Sequence, residues 1–281
     1  MNKSKRTYLF LKENPIIFVG TIIITIILVI ALLSPYISPY DPREQSIINR
    51  LSPPSLKHFF GMDHYGRDIF TRILWGARTS LTIAICSIFL GGSVGTILGT
   101  LAGYKGGHWD NVITRLTDIL MSFPTLIFGI IIIVALGPSW INTIYAIAIT
   151  MVPHFIRFSR GPTLSVKESD FILATKALGA SDWKIIIKHI LPNILGPVVV
   201  MATFYLANAI LIESALSFLG IGVQPPRASW GRMIFAGLDY LSVSPWLTIF
   251  PGLAILITSI GFNLVGDGIR DILDPKIKQM R

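Results

Sequence analysis

Few residues in this chain could do chemistry, and most of those are badly placed for it. Gly91-Gly92-Ser93-Val94-Gly95 spells a literal G-x-S-x-G. As a nucleophile elbow that motif needs a strand before it, a helix after it and a base nearby. Here an apolar run continues through it and no histidine lies in the stretches beside it, so Ser93 reads as one residue of a helix. His58, His64, His108, His154 and His189 are scattered and never at ligand spacing, which argues against a metal centre. Cys86 is the single cysteine, inside an apolar stretch; it excludes an intrachain disulfide and reads as a small buried apolar residue. The chain has no G-x-x-x-x-G-K-[ST] and so no phosphate-cradling loop of its own. Two carboxylates remain, Asp118 and Glu213, both inside apolar stretches. At such depth an ionisable group is costly and normally faces a cavity or a partner. Glu213 sits in ANAILIESALSF, with Asn208 five residues before it and Ser217 four residues after, the latter on nearly the same helical face. That polar strip either lines a pathway or ties helices together by hydrogen bonds. The same two readings hold for Asp118.

The elements that must position these groups are membrane helices. Of 281 residues, 52% are hydrophobic and only 14% charged, the composition of an all-α polytopic membrane protein. The net charge of +9 suggests nucleic acid, but the basic residues fall in the connections between apolar stretches and not on one face. Six spans are expected, over about 16–33, 80–104, 112–136, 140–158, 194–220 and 246–265. The first follows Lys3, Lys5, Arg6 and Lys12, yet it is long for a signal peptide and Ser34-Pro35-Tyr36 offers no small-x-small cleavage site, so it reads as uncleaved. The polar connection over 36–77 is expected to end in a short interfacial helix, with Arg67 and Asp68 pairing locally. Gly91, Gly95, Gly99 and Gly103 recur every fourth residue of the second span; along one stripe they would let a neighbouring backbone come close. With both ends on the cytoplasmic side, that side holds sixteen Lys and Arg against eight on the other, which sets the orientation.

One connection is more polar than any other interior stretch. From Ser165 to Pro192 the pattern reads as two short helices hinged at Gly179. Phe171, Ala174 and Leu178 share a face of the first. Gly179 then stands where a helix most cheaply reverses. Ser181 can cap the second helix, Asp182 sits at its positive end, and Trp183, Ile186, Ile187 and Ile190 form its stripe, with Pro192 closing the element. Such a pair is either held by another protein or laid greasy face down on the membrane surface.

Four stretches resemble one family in its own order: the C-type permeases of ATP-binding-cassette importers for dipeptides, oligopeptides and nickel. Phe60-Gly-Met-Asp-His-Tyr-Gly-Arg-Asp68, running on to Gly76-Ala77-Arg78, is similar to "GTDxxGRDxxSRxxxGAR", with Met62 for the threonine and Thr71 for the serine. Gly179, Ile190 and Pro192 match the "EAA" loop, whose opening triplet is here Leu173-Ala174-Thr175. LSFLGIGVQPPRASWGRM, 216–233, is similar to "LSFLGLGVQPPxPSWGxM" with Ala228 for a proline, and GDGIRDILDP, 266–275, to "GDxLRDxLDP".

The resemblance implies a MetI-like five-helix permease core preceded by one extra span, in a bacterial cytoplasmic membrane. It implies the divisions 1–35 (cytoplasmic start and first span), 36–77 (extracytoplasmic connection), 78–266 (permease core, with the coupling loop at 159–192) and 267–281 (cytoplasmic tail). By it, Ala174, Ala177, Leu178, Gly179, Ala180, Ser181, Asp182, Trp183 and Pro192 would couple to an ATPase. The partners would be a homologous second permease, two ATPase subunits that bind the ATP and Mg²⁺, and an extracytoplasmic solute-binding protein. The chain itself would be non-catalytic and hold no cofactor or metal. Di- or oligopeptides are the expected cargo, with nickel or another metal chelate, or glutathione, as alternatives. An ion-driven carrier would favour inverted halves, and no clear internal duplication is visible; an intramembrane hydrolase would need a nucleophile and base that the residues do not supply.

Overall fold

In the computed structural model, which describes residues 15–273, every extended element is helical. The helices are α1 (Pro15–Ile37), α2 (Ile69–Lys105), α3 (Gly107–Met121), α4 (Thr125–Leu136), α5 (Trp140–Lys167), α6 (Asp170–Ala177), α7 (Asp182–Phe218), α8 (Trp230–Gly237) and α9 (Trp246–Leu273). Five are long and apolar enough to cross a membrane, and α3 with α4 make a sixth only as a pair bent by 92°.

Several expected boundaries move, each for a local reason. The short interfacial helix is not separate: α2 runs 37 residues without interruption from Ile69, roughly 55 Å at 1.5 Å per residue, longer than a ~30 Å hydrocarbon core. Asp68 starts it by accepting the Thr71 N–H at 2.7 Å and is also bonded to His58 Nδ1 at 2.9 Å. Arg67 therefore does not pair with Asp68; its Nε meets Asp63 at 2.7 Å, with Arg72 Nε 3.7 Å from the same oxygen. The expected third span breaks at Ser122-Phe123-Pro124, because proline lacks an N–H and pushes the preceding residue out of the helical region. The resulting α4 has 12 residues, too short at ~18 Å to span alone. The fourth span continues past Phe158 to Lys167, since Arg157 and Arg160 are neutralised by α3: Arg157 donates to Asp118 at 2.9 Å, and Arg160 grips Asp110 with two bonds of 2.6 Å. The fifth begins twelve positions earlier than 194, and the sixth helix carries on through the first part of the expected tail to Leu273.

The most extensive interface is between α2 and α5, and the glycine stripe makes it. A Cβ on Gly91 would strike Ala148 O; on Gly95 it would lie 2.6 Å from both Phe155 Cβ and Val152 O; on Gly99 it would strike Ser159 Oγ and Ile156 O; on Gly103 it would come within 3.0 Å of Arg160 O and Thr163. Ser87 Oγ donates to Ile144 O at 3.0 Å across the same seam. In lipid, where apolar burial drives association weakly, such backbone approach and dispersion hold helices together. The core around the seam is Ile83 and Ala84 of α2, Ile147, Met151 and Phe155 of α5, and Ile210 and Leu216 of α7, all essentially inaccessible. Helix α1 packs on α9 and α2 at the side of this bundle.

Candidate functional site

The hinge over 170–190 has three parts. Helix α6 buries only Ile172. It ends in a Schellman turn, the Ala180 N–H reaching Thr175 O at 3.3 Å and the Gly179 N–H reaching Lys176 O at 3.0 Å. Gly179 has φ +81°, and a Cβ there would meet nothing within 4 Å, so what the turn requires of this residue is its backbone conformation and not its small size. Ser181 occupies the N-cap position of α7 without a side-chain cap bond. Asp182 is drawn instead to the last turn of α2, accepting the Tyr104 hydroxyl at 2.8 Å and Lys105 Nζ at 2.5 Å.

Pro192 does not close the element. A five-residue π segment, Ile186–Ile190, carries the chain through, with the Leu191 N–H bonded to Ile186 O. The wider coil relieves the clash a proline ring makes with the carbonyl four residues back, and Asn193 Nδ2 takes up His189 O at 2.6 Å. From Asp182 to Phe218 the backbone is thus one continuous helix. Its stripe splits in two: Ile185, Ile186 and Ile190 are buried, whereas Trp183 and Ile187 are 63% and 57% exposed. Phe171, Leu173 and Leu178 are also outward, Leu178 at 88%, and Ala174, Ala177, Gly179, Ser181 and Pro192 are exposed beside them, with Ala180 and Asp182 half-buried. The hinge therefore presents exposed apolar side chains, with Lys176, Lys184 and Lys188 among them, on a scaffold anchored from behind.

Glu213 is fully buried. Its two oxygens accept the Ser80 hydroxyl of α2 and the Ser217 hydroxyl of α7, each at 2.8 Å, and Ser217 Oγ in turn accepts the Val223 N–H at 3.1 Å. Asn208 is exposed on another face and takes no part. Ser80 is the member that sequence reasoning missed; 133 positions separate it from Glu213, and nothing local marks it. Asp118 lies at the outer edge of α3, half exposed and paired with Arg157. Among the described residues no three His, Cys, Asp or Glu side chains converge as a metal site would need.

Residues 95–279 match the family of binding-protein-dependent transport system inner membrane components. The chain belongs to that family. Residues 5–54 of this permease match the N-terminal transmembrane domain of oligopeptide transport permease C. It is 44% identical to the dipeptide transport system permease protein DppC of Alkalihalophilus pseudofirmus, over 95% of this chain and 88% of that one. It is 42% identical to the probable D,D-dipeptide transport system permease protein DdpC of Escherichia coli, over 95% and 89%. It is 43% identical to the glutathione transport system permease protein GsiD of Escherichia coli, over 80% and 74%. In fold it is similar to a chain of the inward-facing MetNI methionine ABC transporter, with a TM-score of 0.60 at 19% identity, covering 73% of this permease and 98% of that chain. The fold is thus MetI-like, all-helical, with additional chain beyond that core.

Proposed function

We propose that this permease forms half of the translocation pathway of an ATP-driven importer of di- or oligopeptides, and that the 170–190 hinge is where an ATPase subunit docks. One observation supports this above the others: the second half of the hinge, with Trp183 and Ile187 exposed, is continuous with the membrane span α7, and the tight turn at Gly179 joins the first half to it. A partner that holds Leu178 and Trp183 and moves would carry α7 with it. Only a contact that survives the movement can bias an inward–outward equilibrium. The hinge takes the cytoplasmic side by its basic neighbours, both chain ends lie on that side, and the membrane is the bacterial cytoplasmic one. ATP and Mg²⁺ are bound by two partner ATPases; a second, homologous permease completes the pathway and an extracytoplasmic solute-binding protein delivers the cargo. The enclosed Glu213 braces α2 against α7 in this reading, and the pathway wall is formed by faces that this chain leaves open. The dipeptide permeases among its relatives favour peptides; the glutathione permease keeps that tripeptide as the second reading.

The test is uptake of dialanine by vesicles holding the complete importer. Uptake is expected to require ATP and binding protein, and Leu178→Asp with Trp183→Asp is expected to abolish ATP-driven uptake while the permease still inserts. Dialanine uptake driven by an ion gradient with no ATP present would overturn the reading.

A further inference from the structure

At the end of the bundle remote from the hinge lies a cavity of about 790 Å³. Arg78 in its wall and Tyr104 beside the hinge are separated by roughly 40 Å along α2. The wall is assembled from four separate segments: Asp41 to Arg43, the start of α2 at Trp75 and Arg78, the Pro138-Ser139-Trp140 turn, and the loop from Gln224 to Ala228. Its volume falls within the ~300–1,000 Å³ of small-molecule sites.

The charge of this wall is one-sided. Arg43, Arg78 and Arg227 line it, and Asp41 is the one acidic residue among the lining residues. Asp41 Oδ1 is engaged in its own turn, accepting the Arg43 backbone N–H at 2.7 Å. Among the described residues none of the three guanidiniums lies within ion-pair distance of a carboxylate, whereas Arg67, Arg72, Arg157 and Arg160 each face one. Partial burial, followed by the charges of Arg43 and Arg78, pulls the Arg227 guanidinium below its ordinary value. Two of them are steadied by rings: Arg227 lies 4.2 Å from the centroid of Trp140, and Arg78 lies 5.8 Å from that of Trp75. Stacking holds a guanidinium by its face and leaves its N–H edge free. Gathering unneutralised charges in a partly enclosed space is unfavourable unless an anion visits it, and planar forks of this kind match a carboxylate with two parallel bonds.

We propose that this cavity receives the carboxylate of the solute in transit, gripped by Arg78 and Arg227 with Arg43 at the rim. The proposal rests on the peptide-import reading: a dipeptide always carries one C-terminal carboxylate whatever its side chains, so a site for that group would serve many sequences. A binding protein's acidic surface, or an anionic lipid headgroup, could present a negative charge to the same arginines, and the experiment separates these.

The complete importer is reconstituted in phosphatidylcholine vesicles, and ATP-driven uptake of dialanine and of dialanine amide is measured at saturating binding protein. The same complex, in phosphatidylcholine nanodiscs, is titrated with both compounds while tryptophan fluorescence is read. In Arg78→Gln/Arg227→Gln, uptake of the acid is expected to fall about tenfold or more, the loss of a charged hydrogen-bonded contact, while uptake of the amide changes less than about twofold; Arg→Lys at both positions is expected to recover part of the acid's rate. The fluorescence response to the acid is expected in the wild type and not in the Gln variant. Equal loss for both compounds, restored by more binding protein, would show that the arginines hold that protein and would overturn the proposal. So would an unchanged ratio of acid to amide, or a fluorescence response that appears only when phosphatidylglycerol is added. If wild-type vesicles take up neither compound, the peptide reading fails by itself, and the cavity proposal stands or falls on the fluorescence titration. Co-purification of the partner subunits with each variant reports that the complex has assembled.

Discussion

Substitutions at Gly179 separate two reasons for a glycine at the tip of the hinge. The residue sits at φ +81° with open space around its missing Cβ. If the backbone is what matters, side chains should be penalised by their reluctance to turn left-handed and not by their bulk. Alanine costs ~1–2 kcal/mol in that region, partly offset by ~0.4–1 kcal/mol through its stiffer unfolded chain. Asparagine, several-fold enriched at positive φ, costs less, and β-branched valine costs most. The expected order of ATP-driven uptake is therefore wild type, then Gly179→Asn, then Gly179→Ala, then Gly179→Val. Between Asn and Val a gap of one to two kcal/mol corresponds to about a 5- to 30-fold shift in the population with a formed hinge. The assay is initial-rate uptake in vesicles, normalised to permease that co-purifies with the ATPases. If the glycine instead admits close approach of the docked ATPase, asparagine, being larger, must be worse than alanine. That inversion would falsify the conformational argument, and equal activity in all three variants would show that the left-handed turn is dispensable.

Other outcomes follow from the same geometry. Gly95→Leu is expected to lower the yield of intact permease, because even a Cβ would stand 2.6 Å from Val152 O and overpacking a seam costs about 1–3 kcal/mol; Gly252→Ala, in α9, serves as a control, since a Cβ there meets nothing within 4 Å. Glu213→Gln should assemble and transport near the wild-type level, since an amide can keep both hydroxyl contacts, whereas Glu213→Leu strands Ser80 and Ser217 in the interior at about 1–3 kcal/mol each and should fail in assembly, read by size-exclusion yield. Slow uptake by an assembled Gln variant would instead place the charge in the pathway. Asp182→Asn should reduce coupling only mildly, because Asp182 and Lys105 are each about two-fifths exposed, such pairs contribute at most about 1 kcal/mol, and an amide oxygen can still accept the Tyr104 hydroxyl. Burial lowers the His64 pKa from its ordinary 6.5. Above about pH 6.5 it contributes no pH dependence; as pH falls through 6.5 toward the lowered folded value, the unfolded chain takes up a proton that the folded chain resists, and stability drops. His64→Gln should flatten the fall in melting temperature between pH 7.5 and pH 5.5.

The parts of this architecture that are periodic are legible in the sequence. Four glycines at one spacing announce a seam, and its partner α5 was the missing half, because spacing within one helix carries no information about the helix across from it. The span ends were less legible. Arg157 and Arg160 read as the end of an apolar stretch, yet α5 continues because Asp118 and Asp110 neutralise them from α3. Pro124 and Pro192 show why composition alone misplaces breaks. The first ends its helix as a proline ordinarily does; the second is carried through by the π segment before it. The Glu213 site divides in the same way: Ser217, one turn on, is a local inference, while Ser80 arrives from a distant helix.

Those long-range contacts fix what the hinge can transmit. Helices α2 and α7 are joined at two levels, by Tyr104 and Lys105 on Asp182 beside the hinge, and by Ser80 on Glu213 far up the bundle. Along α2 these levels lie roughly 36 Å apart. In the lower joint the Lys105–Asp182 pair is two-fifths exposed and salt-screened, whereas the upper joint is sealed from solvent and costly to open. The pair should therefore move as one body that yields first at the hinge end. The glycine seam binds α2 to α5 with backbone contacts that leave no room to slide, so α2, α5 and α7 form a single unit, and a displacement applied at Leu178 is delivered to all three. Weakening the lower joint would loosen the ATPase contact and leave that unit whole. Breaking the upper one would let the hinge move while the far end of α2 stayed behind. The uncoupled phenotype, ATP hydrolysis without uptake, thus belongs to Ser80→Ala and not to Asp182→Asn. Ser80→Ala leaves Ser217 on the carboxylate, so the permease should still assemble, and a raised ratio of ATP hydrolysed to dialanine taken up is its expected mark; an unchanged ratio would show that the upper joint carries no load.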